Sequence, residues 1–105
     1  MGKIVVVAYQ PHKGKEAELI SLVKEHIPVL KKEGLVTDRK PVVMQATDNT
    51  IIEVFEWKSK EAINAAHYNP QVQAHWSRFS EVCEYKPAGS VREFSDLFSE
   101  FEAVM

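Results

Sequence analysis

The sequence predicts a single α+β domain whose elements follow the order β-α-β-β-α-β. Three observations support this prediction: short β-branched runs, one long amphipathic stretch after the first run, and a proline-broken amphipathic stretch after the third. The chain has 105 residues, of which 45% are hydrophobic and 27% are charged, as in ordinary globular proteins. This length supports one hydrophobic core, so residues 1–105 are expected to form one domain.

The first half of the chain contains a strand and a long helix. Residues 3–9, KIVVVAY, form an apolar run without polar alternation, which is typical of a strand covered on both faces. A helix is predicted from residue 15 to Gly34, with acidic residues in its first turn and lysines in its last. Its predicted inner stripe consists of Ala17, Ile20, Val23, Ile27 and Leu30.

Two further strands are predicted at residues 39–47 and 50–57, joined by a turn at Asp48 and Asn49. In the second of these runs each face carries apolar side chains and one carboxylate, Glu53 on one face and Glu56 on the other. Neither face therefore resembles a surface exposed to water.

The second helical region is predicted to be broken once. Ser59 is suited to cap a helix, and Asn69 with Pro70 is suited to end that helix and to begin another. The stripe of the last helix is Val72, Trp76, Phe79 and either Val82 or Cys83. Residues 90–94, SVREF, are a candidate fourth strand, and residues 95–105 are expected to form a C-terminal tail or short helix.

A homodimer is expected from the apolar character of the strands. An antiparallel sheet with helices on one face leaves its other face bare, and monomers rarely expose apolar patches of that size. Packing the bare faces of two copies together would bury them.

Several functional classes are disfavoured by composition and motifs. A net charge of −2 argues against nucleic acid as a partner, and the N-terminal apolar run is too short for a membrane span. The single Cys83 indicates a buried thiol in a reducing compartment, so a cytoplasmic location is expected. No metal-ligand spacing and no glycine-rich phosphate loop is present, so neither a metal nor a nucleotide cofactor is expected.

His67 is the strongest candidate for chemistry, because an imidazole suits proton transfer near neutral pH and lies here beside a helix break. Glu56, at the end of the third strand, is its expected partner. The alternative is that His67 only caps the broken helix while Glu56 is exposed. His12 and His26 are expected to face solvent, and His75 is expected to be flanking or exposed.

A small-molecule pocket is expected to be lined by aromatic side chains, namely Tyr9, Phe55, Trp57, Trp76 and Phe79. The same composition is found in ordinary cores, and Trp76 in particular also belongs to a helical core stripe. The residue pattern fits both a small-molecule pocket and an ordinary core.

The stretch EWKSKEAINAAHYNP, residues 56–70, resembles the antibiotic biosynthesis monooxygenase-like family. The resemblance implies a ferredoxin-like protomer, an antiparallel sheet with helices on one face, a dimeric α/β barrel, and a pocket between sheet and helices. The family includes cofactor-free oxygenases of small aromatic or quinone-like molecules, haem-degrading enzymes, isomerases of phosphorylated sugars and proteins without assigned activity.

The first functional hypothesis is therefore a cofactor-free monooxygenase-like protein in which His67 takes a proton from a small apolar or aromatic substrate. The second is a non-catalytic homodimeric binding or structural module whose pocket is filled by side chains. The third is a haem-binding protein. Against it, the tryptophan that contacts haem in that branch would fall near Ala66, and the first strand lacks the asparagine expected around Ala8 or Tyr9.

Overall fold

Short β-branched runs and capped amphipathic stretches produce the elements of the fold. The computed structural model describes residues 1–105. Its α-helices are α1 (Glu16–Lys32), α2 (Lys60–Ala66) and α3 (Pro70–Phe79), and its strands are β1 (Lys3–Pro11), β2 (Val42–Gln45), β3 (Ile51–Trp57), β4 (Cys83–Lys86) and β5 (Glu102–Ala103). Two short 3-10 turns, Ala88–Ser90 and Arg92–Ser95, separate β4 from β5. None of the helices combines the length and hydropathy that crossing a bilayer would require.

The five strands form one antiparallel sheet in the order β4-β1-β3-β2-β5. The longest strand, β1, lies between β4 and β3, with Val6 opposite Val54 of β3 and Tyr9 opposite Tyr85 of β4. The predicted α+β class and antiparallel sheet are confirmed. The order of the first four strands is consistent with a ferredoxin-like arrangement.

Local caps and turns define where the elements end. The Ser59 hydroxyl accepts a hydrogen bond from the Ala62 amide at 3.1 Å, and Asn69 Oδ1 accepts from the next two free amides of α3, so the predicted break between two helices is confirmed. Gly34 has φ +73° after α1, and Asn49 has φ +74° in the β2–β3 turn. Both residue types tolerate this left-handed conformation, which reverses the chain at each point.

The three α-helices cover one face of the sheet and bury two clusters of side chains. One cluster includes Tyr9, Leu19, Val23, Ile51 and Phe79, and the other includes Ile27, Leu30, Phe55, Trp57 and Val72. Each fully buried aliphatic or aromatic side chain contributes roughly 1.5–3 kcal/mol to stability. His26 of α1 lies between the clusters, with its ring centroid 5.4 Å from that of Phe55 and 5.6 Å from that of Phe79.

The inner stripe of α1 agrees with the prediction at Val23, Ile27 and Leu30 and differs from it at Ala17. Its buried residues are Leu19, Leu22, Val23, His26, Ile27 and Leu30, whereas Ala17 is exposed. The helix is therefore rotated so that His26 faces the sheet. Leu19 and Leu22 bury more apolar area on this face than Ala17 and Ile20 would, which favours this rotation.

The opposite face of the sheet is covered only in part. Val91 and Phe101 of the C-terminal segment pack there against Ala8, Ala46 and Ile52. Beyond this cover, the open face exposes Ile4 by 56%, Val6 by 45% and Val42 by 50%.

The predictions for the C-terminal region were partly wrong. The fourth strand is Cys83–Lys86, because α3 ends at Phe79 and residues 83–86 pair with β1. Residues 90–94 instead form 3-10 turns that are held in place by Glu93, whose carboxylate accepts hydrogen bonds from the Thr47 amide at 2.8 Å and hydroxyl at 3.1 Å. Residues 96–105 contain no helix and form a tail, in which β5 pairs with β2.

Candidate functional site

A cavity of about 360 Å³ lies between the sheet and the helices. This volume is at the lower end of the range for small-molecule sites. Strands β1, β3 and β4 form its floor, the helices contribute His26, Gln73 and Trp76, and His67 follows α2. The lining is mostly hydrophobic and consists of Val5, Val7, Tyr9, His26, Phe55, Trp57, His67, Gln73, Trp76 and Tyr85.

A buried carboxylate lies beside this cavity. Strand alternation turns Glu53 of β3 toward the helices, where its side chain is 0% exposed. It accepts a hydrogen bond from the Tyr9 hydroxyl at 2.7 Å. His26 Nδ1 lies 2.9 Å from one of its oxygens and 3.1 Å from the other.

The hydrogen-bond pattern around His26 determines which ring nitrogen carries the proton. The Trp76 indole nitrogen is 2.8 Å from His26 Nε2, and an indole N–H can only donate. His26 Nε2 therefore accepts, so His26 is neutral with its proton on Nδ1 and donates to Glu53. Glu53 in turn acts as an acceptor toward both Tyr9 and His26.

Tyr9 is held in the donor state. Burial raises the pKa of its hydroxyl well above the ordinary value of 10.0, and the neighbouring Glu53 carboxylate raises it further. The ring stacks on Phe79 at a centroid distance of 5.1 Å. Tyr9 therefore supplies Glu53 with a permanent neutral hydrogen-bond donor.

Two histidines that were predicted to face solvent or to flank the core are buried. His26 was expected in solvent and is 3% exposed, and His75 was expected to be flanking or exposed and is buried. His75 Nε2 donates to the Leu22 carbonyl at 3.1 Å, and desolvation lowers the pKa of its imidazole. Its ring stacks behind that of His26, with centroids 5.8 Å apart.

The aromatic residues predicted for the pocket come together in the structure. Tyr9, Phe55, Trp57 and Trp76 line the cavity, and Trp76 is partly buried, so it contributes both to the core and to the cavity wall. Phe79 lies beneath the cavity in the core and does not line it.

The predicted pair of His67 and Glu56 is not formed. His67 is exposed at the cavity rim, with its ring against that of Trp76 at a centroid distance of 5.7 Å. Strand alternation places Glu56 on the opposite face of the sheet, where it accepts hydrogen bonds from the Thr37 hydroxyl at 2.8 Å and from Arg39 Nε at 3.0 Å. These two bonds, that from Thr37 first, hold the pKa of Glu56 below its ordinary value.

The pairing of His26 with Glu53 was not predicted from the sequence. The available signal was Glu53 itself, a carboxylate that shares a strand face with Ile51, Phe55 and Trp57. A carboxylate buried among such neighbours requires hydrogen-bond donors from another element. His26 is spaced one helical turn from Leu22 and Leu30 and so was available on the buried side of α1.

The remaining reactive groups are not assembled into a metal or thiol site. No group of three or more histidine, cysteine, aspartate or glutamate side chains lies close enough to hold a metal ion. Cys83 is buried, and desolvation raises the pKa of its thiol to about 11. This thiol is therefore not a ready nucleophile.

Comparison of the chain with models of known protein families, with curated proteins and with solved structures found no match.

Proposed function

We propose that this protein is a cofactor-free oxygenase of a small aromatic or quinone-like molecule, with His26 rather than His67 as its general base. The observation that carries the proposal is the orientation of His26. Its Nδ1 proton is bound to the buried Glu53 carboxylate, and its unprotonated Nε2 points to a Trp76 indole that lines the cavity.

The arrangement of Glu53 and His26 suits a base better than an isolated imidazole would. A carboxylate on Nδ1 fixes the tautomer and stabilises the imidazolium that forms when Nε2 takes a proton. The low polarity of the cavity strengthens this interaction. His67, by contrast, is exposed at the rim and has no carboxylate partner.

The proposed reaction uses only the substrate and dioxygen. His26 Nε2 takes a proton from an activated CH₂ or phenolic group, and the resulting anion transfers one electron to O₂. Recombination of the radical with superoxide forms a carbon–oxygen bond, and the peroxide is protonated by the imidazolium. Loss of water from a CH₂-derived peroxide leaves a ketone, so that CH₂ and O₂ become C=O and H₂O.

The lining of the cavity favours an uncharged, mostly apolar ligand. It contains no lysine or arginine that would pair with a phosphate or carboxylate on the ligand. The aromatic rings of Phe55, Trp57 and Trp76 offer flat surfaces for a ring system. A phosphorylated sugar would therefore be a poor ligand.

Oxygen uptake with a panel of anthrones and hydroxyquinones tests this proposal. General bases typically contribute 10²- to 10⁴-fold to rate, so His26→Gln should reduce turnover by at least about 100-fold. His67→Ala is the matched control and should keep turnover within about threefold of the wild type, since this residue contributes only the rim. Full activity of His26→Gln would remove His26 from the mechanism.

One observation favours the second candidate, a binding module without chemistry. The lone pair of His26 Nε2 is already occupied by the Trp76 N–H in this structure. If a ring compound binds the cavity and no oxygen is consumed with any member of the panel, the binding module is supported and the oxygenase is not.

We also propose that the protein acts as a homodimer, with the open sheet faces of two copies packed into a barrel. The support is the exposed apolar side chains of Ile4, Val6 and Val42 on that face. A cytoplasmic location belongs to the same proposal, because the buried free thiol of Cys83 suits a reducing compartment.

Sedimentation at micromolar concentration tests the dimer. The wild type should sediment as two subunits and Val6→Lys as one, whereas Tyr68→Lys should remain dimeric because Tyr68 lies after α2, away from the sheet. A folded wild-type monomer would contradict the barrel.

A further inference from the structure

We infer that the Trp76 indole is a displaceable cap on His26, so that the cavity selects ligands with a hydrogen-bond donor over ligands of the same shape that only accept. The inference rests on the proposed function, since it concerns how a ligand reaches the same base. It assigns Trp76 as a specificity-determining residue.

The polarity of the site follows from a chain of groups with fixed roles. Glu53 accepts, His26 donates from Nδ1 and accepts at Nε2, and Trp76 can only donate. The group that faces the ligand is therefore an acceptor. Reversing its polarity would require His26 to move its proton to Nε2, which would set the Nδ1 lone pair against the buried Glu53 carboxylate.

Of the two partners in this hydrogen bond, Trp76 is the one whose side chain can move. His26 is 3% exposed and is held by both oxygens of Glu53. Trp76 is only partly buried, and its indole N–H has no other hydrogen-bond partner. Its remaining aromatic neighbours, Trp57 and His67, contact it edge-on at centroid distances of 6.4 and 5.7 Å, and neither holds the N–H in place.

A ligand hydroxyl can donate to Nε2 and accept from the displaced indole N–H on its own oxygen, so that neither group is left unpaired. A ligand that carries an ether oxygen at the same position would place two lone pairs against each other. The cost of an unsatisfied buried acceptor corresponds to a selectivity of about 10- to 100-fold for the hydroxyl compound.

The test compares 1-naphthol with 1-methoxynaphthalene, which share a ring system and differ in the donor. Calorimetry in the absence of oxygen, where no turnover occurs, should show that 1-naphthol binds at least about 10-fold more tightly than 1-methoxynaphthalene. In ¹H–¹⁵N spectra the Trp76 indole cross-peak, assigned with Trp76→Phe and Trp57→Phe, should shift with naphthol and much less with the ether. In His26→Phe, which lacks the acceptor, the selectivity should disappear.

Equal affinity for the two compounds, or naphthol binding that leaves the Trp76 indole cross-peak in place, would overturn the inference. The absence of naphthol binding would also overturn the inference, because the spectra of the wild type show that the protein is folded and misfolding cannot explain the lack of binding. The proposed oxygenase fails separately, if naphthol binds selectively and displaces the indole while His26→Gln leaves oxygen uptake unchanged.

Discussion

Replacing Tyr9 by phenylalanine tests whether Glu53 is held as a buried acceptor. The change removes one oxygen, the donor that lies 2.7 Å from the Glu53 carboxylate. It keeps the ring that stacks on Phe79 at 5.1 Å. Any loss of stability therefore reports on the hydrogen bond rather than on packing.

The size of the effect follows from the charge and burial of the acceptor. A hydrogen bond to a charged group contributes about 1.5–3 kcal/mol, and the variant leaves Glu53 with His26 as its remaining donor. We expect Tyr9→Phe to lower the free energy of unfolding by about 2 kcal/mol. For a domain of this size the thermal midpoint should fall by about 10 °C.

Urea unfolding at one fixed protein concentration measures this difference, with Tyr85→Phe as the matched control. Tyr85 lies directly opposite Tyr9 on β4, is 56% exposed, and its hydroxyl makes no hydrogen bond within the chain. The control should change stability by less than about 0.5 kcal/mol. Equal effects of the two substitutions would refute the assignment of Glu53 as an acceptor that depends on Tyr9.

Three further predictions concern the C-terminal anchor, the thiol and a helix cap. The Thr47 amide hydrogen bond holds the pKa of Glu93 below its ordinary value of 4.5. The ionised Glu93 therefore stabilises the fold fully above pH 4.5, and this stabilisation is lost as the pH falls through the lowered pKa. Glu93→Gln should therefore flatten the acid side of the stability profile, whereas the exposed Glu84→Gln should not. Cys83, with a thiol pKa of about 11, should react with an aromatic disulfide reagent only in denaturant; rapid labelling of the native protein would contradict its burial. Asn69→Ala removes the acceptor for two α3 amides and should cost about 1 kcal/mol in urea unfolding.

Local sequence signals correctly predicted the helix caps and the β2–β3 turn. Ser59, Asn69 with Pro70, and Asp48 with Asn49 were interpreted correctly, because caps and turns depend on residues within three or four positions of each other. The aromatic cavity lining was also largely predicted, since strand alternation alone places Phe55 and Trp57 on one face.

The fourth strand was predicted about seven residues too late in the chain, because it is determined by a tertiary partner and not by a local signal. Residues 83–86, CEYK, contain no long β-branched run, and they form a strand because β1 offers them an unpaired edge. Residues 90–94 look more like a strand locally, yet Glu93 is used there to bind the β2–β3 turn. Such pairing depends on tertiary partners that the local pattern does not contain.

By itself the sequence determined the α+β class, the antiparallel hairpin of β2 and β3, the broken second helix and most of the aromatic wall of the cavity. Only the tertiary structure decided that His26 and Glu53 meet and that Trp76 occupies the free nitrogen of His26. The physical reason is distance along the chain. Periodicity and capping act over a few residues. The buried Glu53 carboxylate, in contrast, is stabilised by hydrogen-bond donors 27 and 44 residues away along the chain. Which donors reach it depends on how the helices rotate and pack onto the sheet.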